Sequence, residues 1–327
     1  MSDLVLVTGG TGYLGAHVVK AALDAGYHVR TTVRSLARAD ALRAAVGAGP
    51  DTPLDVVEAD LQSDAGWDKA VAGVDYVLHV ASPYPAGQPH DENELIVPAR
   101  EGTLRVLRAA LAASVKRVVI TSSFAAIGYG HGDHPAPYTE ADWTDVAAPG
   151  VTAYQKSKTL AERAAWEFAA EHPELEVASV NPVGIFGPPL GAPEGTSVFI
   201  LRTVQRSPIV PDMRFGVVDV RDVAALELAA MTSADAAGER FLAVSGFTGM
   251  KHVAGVLGKR VVLLPDWVVR AAAPFAPMAR SLANEIGVAK RGSSAHAAEL
   301  LGWHPRPLDE TVRDMDAALS AAAAGPR

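Results

Sequence analysis

The sequence contains no cysteine, which excludes a disulfide framework, a thiolate metal site, an iron–sulfur cluster and a cysteine nucleophile. It has no uninterrupted apolar run of about 18 residues, so no bilayer span is expected. Basic charge is scarce, with 29 Lys and Arg against 37 Asp and Glu, and this net charge of -8 disfavours general binding to nucleic acid or anionic membranes. No basic lead precedes the first apolar run, as a secretory signal would need, so a cytoplasmic location is expected.

Strand patterns alternate with helical patterns through the first half of the chain. Strands are predicted at 4–7, 28–33, 54–58, 76–80, 117–121, 177–180 and 215–218. Helices are predicted at 14–24, 65–72, 102–113 and 223–231, and the stretch 184–195, rich in Gly and Pro, is predicted to be a loop. Because parallel strands need crossover connections of this kind, we expect a doubly wound parallel α/β sheet.

The strongest local signal directly follows the first strand. Gly9, Gly12 and Gly15 recur at steps of three between a predicted strand and a predicted helix. Gly9 permits a tight turn, Gly12 lets the backbone approach a pyrophosphate, and Gly15 lets the helix pack close to the strand. The positive end of that helix then faces the phosphates. The pattern predicts a dinucleotide site to which Tyr13 and Leu14 also belong.

The length of 327 residues predicts roughly two domains at ~150 residues each. Residues 1–182, with 215–240 returning to them, are predicted to form the dinucleotide-binding, Rossmann-type domain. Residues 183–214 and 241–320 are predicted to form a smaller mixed α/β domain that binds substrate over one edge of the sheet. Residues 321–327 are predicted to be a frayed tail.

The end of the second strand predicts which dinucleotide binds. An acid there would bond an adenosine 2′-hydroxyl and select NAD, whereas an arginine accommodates a 2′-phosphate. The chain has Arg34 at this place and no acid, with Arg38 as a second candidate four residues later. A guanidinium donates two hydrogen bonds at once to a phosphate. We therefore expect NADP(H).

Two further segments follow strands at the same edge of the expected sheet. Asp60 and Leu61 come after the third strand, where the adenine edge would lie, although Asp60 could instead cap the helix that follows. Val80, Ala81 and Ser82 come after the fourth strand, where the backbone of such sheets meets the cofactor. All five residues are predicted to contact the dinucleotide.

Tyr154 and Lys158 lie four residues apart in a helical segment and so project from one face. Thr152 and Gln155 fit a capping box that starts this helix just ahead of Tyr154. A free tyrosine has a pKa near ~10, and a nearby ammonium favours its phenolate. We expect Tyr154 to protonate a carbonyl oxygen as hydride arrives from NADPH, and Lys158 also to bond the nicotinamide ribose.

A hydroxyl that bonds the same carbonyl oxygen would stabilise the developing charge. The stretch Thr121–Ser122–Ser123 ends the fifth strand immediately before this helix, so Ser122 and Ser123 are both candidates for that donor. Thr121 is expected to contact the cofactor.

Together these motifs resemble the extended short-chain dehydrogenase/reductase family, in particular its dihydroflavonol reductase and aldehyde (carbonyl) reductase branch. The stretches that carry the resemblance are Val7–Gly15, Thr32–Arg34, His79–Pro83, Thr121–Ser123, Tyr154–Glu162 and Asn181–Pro188. The resemblance implies a Rossmann fold, NADPH, and carbonyl–alcohol interconversion with Ser123, Tyr154 and Lys158 as catalytic residues. It also implies that Pro182 and Val183 lie against the nicotinamide, and that the helices around 103–113 and 154–171 form a homodimer surface.

A substrate pocket is expected between the loops after Ser82 and Ser123 and the variable region 184–215. Its candidate residues, for each of which core packing is the alternative, are mainly apolar: Tyr84, Phe124, Ala125, Phe186, Leu190, Phe199, Met213 and Phe215. This lining would suit a small hydrophobic ketone or aldehyde. Phe124 departs from plant flavonoid reductases, which carry small residues after the serine.

Two other functions compete with a carbonyl reductase. Sugar-nucleotide epimerases and dehydratases share the family resemblance, but they typically use NAD and carry an acid where Arg34 stands. A non-catalytic NADP(H) sensor of the same fold often lacks the Tyr/Lys pair that this chain has. No metal site is predicted, because His131 and His134 lie in a loop without a helical His pair.

Overall fold

In the computed structural model the described residues are 3–83, 89, 91–132, 134, 136–191, 195–275, 286 and 290–324. Within them the strands are, in chain order, β1 (Leu4–Val7), β2 (His28–Val33), β3 (Leu54–Glu58), β4 (Tyr76–His79), β5 (Arg117–Thr121), β6 (Glu176–Pro182), β7 (Gly184–Phe186), β8 (Ile209–Pro211), β9 (Arg214–Asp219), β10 (Arg240–Ala243), β11 (Gly246–Gly249) and β12 (Val262–Leu264). The largest sheet has the order β10-β6-β5-β4-β1-β2-β3, and all of its neighbours are parallel.

The described helices cover both faces of this sheet and build a smaller lobe. They are α1 (Tyr13–Asp24), α2 (Ala39–Val46), α3 (Trp67–Val71), α4 (Asn93–Ala112), α5 (Ala153–Glu171), α6 (Thr196–Arg206), α7 (Val220–Thr232), α8 (Met250–Val256), α9 (Asp266–Ala272), α10 (Ala295–Leu301) and α11 (Leu308–Ala324). The predicted doubly wound parallel sheet is confirmed. None of the described helices is long and apolar enough to cross a membrane.

Strand β1 shows why both faces are covered. Val5 and Val7 pack into one hydrophobic cluster, while Leu6 between them packs into the other. Successive side chains of a strand point to opposite faces, so a buried parallel strand is apolar throughout rather than alternating. The uninterrupted apolar sequence of β1 therefore indicates a central position in the sheet.

The smaller lobe contains two minor sheets. Strand β9 pairs in parallel with β7 and antiparallel with β11, and β8 pairs in parallel with β12. Their core includes the buried residues Phe186, Leu201, Val217, Met250 and Met315. Residues 184–186, predicted as loop, thus form a strand, because pairing with β9 outweighs the local turn signal of the glycines.

The observed elements differ from the predicted division of the chain at three places. A boundary at 241 would cut through β10, which pairs with β6 in the main sheet. Strand β9, predicted to return to the main domain, pairs within the lobe instead. The tail is helical through Ala324, because α11 packs Val312 and Met315 into the lobe core; residues 325–327 lie outside the described part.

Helix α4 also begins nine residues earlier than predicted. Pro98 lies inside it and lacks the amide that a helix interior uses, so the sequence favours a later start. The helix extends through Pro98 because Leu95, Ile96 and Ala99 are buried. Helix α2 was not predicted at all.

We predict that Arg117→Met lowers the free energy of unfolding by about 2 to 3 kcal/mol, measured by urea denaturation. Arg117 is buried at the start of β5, and its Nε donates to Glu176 Oε2 at 2.8 Å. It also donates to the carbonyl oxygens of Ala230 and Met231, which end α7, at 2.9 and 3.2 Å. The substitution leaves those acceptors without their donor.

The matched control is Arg313→Met, which removes the same charge from an exposed side chain that pairs with Asp309 at 3.9 Å. Exposed pairs of this kind contribute little, so a change below about 0.5 kcal/mol is expected. Equal losses in both variants would contradict the role given to Arg117.

Candidate functional site

A cleft of about 750 Å³ opens at the carboxyl ends of β1, β2, β4, β5 and β6. It lies where the strand order reverses between β1 and β4, the place at which open α/β sheets bind ligands. The predicted cofactor and catalytic residues all line it: Gly9, Gly12, Tyr13, Leu14, Gly15, Arg34, Asp60, Leu61, Val80, Ala81, Ser82, Thr121, Ser123, Tyr154, Lys158, Pro182 and Val183.

The glycine turn after β1 leaves no room for a side chain at two of its positions, Gly10 and Gly15. Gly9 has a φ of 71°, and its carbonyl oxygen accepts from the Gly12 amide at 2.9 Å. A Cβ on Gly15 would lie 2.2 Å from that same oxygen. Gly10, which was not predicted, is equally constrained, because its Cβ would lie 2.2 Å from Thr31 Oγ1 on β2. This close-packed turn at the start of α1 fits a pyrophosphate.

The far end of the cleft carries the residues expected at the adenosine. Arg34 and Arg38 both line it just beyond β2. Asp60 Oδ1 accepts from the Gln62 amide at 2.9 Å and so closes a local turn. The alternative that Asp60 caps the next helix is wrong, because α3 begins after Gly66.

Helix α5 presents the predicted proton-transfer pair at its start. The capping box is confirmed. The backbone N–H of Gln155 donates to Thr152 Oγ1 at 3.3 Å, and the backbone N–H of Thr152 donates to Gln155 Oε1 at 2.8 Å. Tyr154 and Lys158, one turn apart, both line the cleft. Burial lowers the pKa of Lys158 to about 8, and the carboxylate of Glu162 opposes that shift.

His79 and Thr8 belong to this region, although the sequence did not single them out. Burial, assisted by the Lys158 charge, lowers the pKa of His79 to about 3, so the imidazole is neutral at pH 7. Its Nδ1 lies 2.9 Å from Thr8 Oγ1, which accepts from the Ala81 amide at 3.0 Å. This chain of contacts holds the segment after β4 against β1. The only sequence signal for the pair was their position inside the motif stretches.

The structure distinguishes the two candidate serines. Ser122 is buried, and its hydroxyl donates to the carboxylate of Glu162. Both serines line the cleft, and the Ser123 oxygen accepts from the Ala125 backbone amide at 3.1 Å. Because Ser123 only accepts in that bond, its proton can be donated to a ligand. The geometry favours Ser123 over Ser122.

The structure does not support the predicted substrate pocket. Phe124 packs edge-to-face against Tyr129 and Tyr138, at 6.1 and 5.8 Å between ring centroids. Phe186 is buried and stacks on Phe215 at 5.6 Å. The remaining described candidates are also absent from the cleft lining: Ala125 is buried, Leu190 and Met213 are partly buried, and Phe199 is exposed. Tyr84 lies outside the described residues.

Phe124 and Phe186 belong to two separate hydrophobic cores. Instead the cleft is lined by Pro83 and by the start of α6, including Ser197 and Val198. Gly184 and Ile185 of β7 complete this wall. Nothing in the sequence marked the start of α6, which directly follows the stretch 184–195 predicted to be a loop.

No group of three or more His, Asp or Glu placed to hold a metal ion occurs in the part of the chain that the structure describes. Asp133, between the two histidines considered above, lies outside that part.

Comparisons with known proteins agree with this geometry. The model of the NAD dependent epimerase/dehydratase family matches residues 5–243. The NADPH-dependent methylglyoxal reductase GRE2 of Saccharomyces cerevisiae is 30% identical over 335 residues, 95% of this chain and 96% of that protein. The ketoreductase azaE of Aspergillus niger is 35% identical over 278 residues, 78% and 81% of the two chains. The structure of Gre2 with NADPH from Candida albicans superimposes with a TM-score of 0.80 at 27% identity, covering 98% and 99%.

One buried acid beneath the cleft generates a prediction. Glu227 on α7 is fully buried; its Oε1 accepts from Thr121 Oγ1 at 2.5 Å, and its Oε2 has no hydrogen-bond partner among the described residues. Burial raises the pKa of Glu227 to about 8. The folded state therefore holds a proton that the unfolded chain releases above its ordinary pKa, so this group makes stability fall as pH rises towards 8.

We expect Glu227→Gln to raise the melting temperature, and to raise it more at pH 8 than at pH 5, in thermal unfolding followed by circular dichroism. The amide keeps the bond to Thr121 without the cost of ionisation. Glu167→Gln, on the exposed face of α5, is the control and should change little at either pH. A gain that does not depend on pH would contradict a titrating Glu227.

Proposed function

Because the chain belongs to the NAD dependent epimerase/dehydratase family and, within it, to the extended short-chain dehydrogenase/reductases, we propose that it is an NADPH-dependent carbonyl reductase. The reaction would interconvert hydrophobic ketones or aldehydes and their alcohols. The chain is an NADP-dependent oxidoreductase, as its reductase relatives and the NADPH-bound structural neighbour indicate. Its substrate and the roles of its residues are the subject of the proposal.

One observation carries the proposal. Ser123, Tyr154 and Lys158 line the same cleft as the glycine turn, although Ser123 follows β5 and the other two lie on α5. A phenol, a hydroxyl and a buried cation thus share one cleft with the glycine turn. That set of groups suits hydride transfer to a carbonyl.

The mechanism assigns one task to each residue. Bound NADPH supplies the hydride. The Tyr154 phenol gives its proton to the carbonyl oxygen, and the Ser123 hydroxyl donates a hydrogen bond to the same oxygen. The Lys158 ammonium stabilises the phenolate that remains, and it does so strongly because its surroundings exclude water. His79 stays neutral and adds no competing charge.

The two ends of the cleft suit their ligands. Arg34, with Arg38 beside it, would hold the 2′-phosphate that distinguishes NADPH from NADH. The part of the cleft wall that follows β6 is aliphatic, formed by Pro182, Val183 and Ile185. An apolar wall beside a few polar donors suits a hydrophobic carbonyl compound. A cytoplasmic location and a homodimer remain predictions.

We expect Tyr154→Phe to lower kcat for NADPH-dependent reduction by at least about 100-fold, since it removes only the transferable proton. Activity is measured as NADPH consumption across a panel of ketones, aldehydes and flavonoids. NADPH binding, followed by fluorescence titration, should stay within about threefold of wild type.

The control is Tyr27→Phe, which removes a phenol that does not line the cleft. Retention of most activity in Tyr154→Phe would refute the mechanism. A wild-type enzyme that binds NADPH but turns over nothing in the panel would favour a sensor. Tightly retained NAD in the purified protein would favour an epimerase or dehydratase.

Arg34→Ala should raise KM for NADPH by about 10-fold or more and leave KM for NADH nearly unchanged, because it removes a charged bond to the 2′-phosphate alone. Steady-state kinetics with each cofactor measures the difference. Arg108→Ala, on the exposed face of α4, matches the change in charge and should affect neither value. An equal effect on both cofactors would undo the assignment of Arg34.

A further inference from the structure

A buried carboxylate lies one helical turn beyond the proton-transfer pair. Glu162 is on α5, four residues after Lys158, and only 1% of its side chain is exposed. A buried carboxylate is costly unless hydrogen bonds and an opposite charge compensate it. The mechanism proposed above assigns no role to Glu162, so the burial of this carboxylate needs another explanation.

Both oxygens of Glu162 are saturated by donors from three different strands or strand ends. Oε1 accepts from Arg240 Nε at 2.7 Å and from Trp166 Nε1 at 3.3 Å, and the Ser179 hydroxyl lies 3.2 Å from it. Oε2 accepts from Asn181 Nδ2 at 2.7 Å and from the Ser122 hydroxyl. One carboxylate therefore joins α5 to β10, to β6 and to the end of β5.

Two of these donors directly precede residues of the proposed site in the chain. Ser122 precedes Ser123 in the chain, and Asn181 precedes Pro182. Asn181 Nδ2 also approaches the backbone oxygen of Ser123 at 3.3 Å. A displacement of the Glu162 carboxylate would thus move the serine and the cofactor wall relative to the helix that carries Tyr154.

Arg240 keeps the carboxylate in place from the side away from the cleft. Its guanidinium donates to the backbone oxygens of Glu140 and Asp142, the latter at 3.0 Å. It also stacks over the ring of Trp143, 3.8 Å from the centroid. The cation is therefore fixed on several sides, and its bond to Glu162 is pre-organised.

The carboxylate also contributes to the field at Lys158. A cavity of about 20 Å³ is lined by both residues, together with His79 from β4 and Thr103 from α4. Of these neighbours only Glu162 carries negative charge, and it opposes the lowering of the Lys158 pKa by burial. His79 is neutral at pH 7, and Arg240 is the cation that faces Glu162 from β10.

We infer that Glu162 is a positioning residue, which holds the helix of Tyr154 and Lys158 in register with Ser123 and keeps an anion beside the Lys158 ammonium. This role rests on the proposed reductase function. It assigns Glu162 no contact with substrate or cofactor. Its effect should therefore fall on kcat and on the pH dependence of kcat rather than on NADPH binding.

The test compares Glu162→Gln, Glu162→Asp and the matched control Glu167→Gln in the full-length enzyme with NADPH and a ketone that the wild type reduces. In Glu162→Gln we expect kcat to fall about 10- to 100-fold, because small misplacements of reacting groups are costly. KM for NADPH should stay within about threefold. The alkaline limb of the kcat–pH profile, where kcat declines as pH rises, should shift to a pH about one unit lower, since Lys158 loses its anionic neighbour.

The shorter acid separates charge from position. Glu162→Asp should lower kcat but leave the alkaline limb near that of wild type, and Glu167→Gln should change neither. Two results together would overturn the inference and leave Glu162 a structural role only. The alkaline limb of Glu162→Gln would stay where it is in the wild type, and its kcat would fall only in proportion to the folded fraction measured by thermal unfolding.

If Glu162→Gln does not fold, Ser122→Ala removes one donor without changing charge. We expect Ser122→Ala to lower kcat and to leave the alkaline limb where it is in the wild type. A kcat equal to that of the wild type in both Ser122→Ala and Glu162→Asp would overturn the inference. A wild type without turnover would refute the proposed reductase instead. The two failures are thus distinguishable. The inference about Glu162 fails when the wild type is active and the variants show none of the expected changes in kcat, whereas the proposed function fails when the wild type itself has no activity.

Discussion

The contact between Gly15 and the backbone oxygen of Gly9 determines where the cleft can form. Any side chain at Gly15 would collide with that oxygen, so only glycine lets α1 start so close to the end of β1. Because β1 lies in the middle of the sheet, between β2 and β4, the segments after those strands are placed relative to this turn. The positive end of α1 then faces the space between them.

The opposite wall of the cleft depends on charges held away from water. Lys158 is buried, and the pKa of His79 is depressed so far that the imidazole stays uncharged at pH 7. Glu162 and Arg240 form a buried pair below them. Water is largely excluded here, so interactions among these groups are stronger than at the surface, and small displacements have large electrostatic effects.

Much of the fold followed from local pattern. The bounds of β1, β2, β3 and β5 agree with the predicted segments, since apolar and β-branched residues dominate each of these strands. The prediction failed where long-range packing outweighed local signals. Buried contacts carry α4 through Pro98, and pairing with β9 makes a strand of residues 184–186. Local sequence contains neither contact.

The sequence by itself determined the spacing of the glycines and the helical phase that puts Tyr154 and Lys158 on one face, because both depend on residues within one turn of each other. Only the tertiary structure decided that the Ser122 hydroxyl donates to Glu162 whereas the Ser123 proton is left for a ligand, that Phe124 and Phe186 fill cores, and that Glu162 meets Arg240, 78 positions away in the chain. Such choices depend on which distant segments pack together, and no local spacing encodes them.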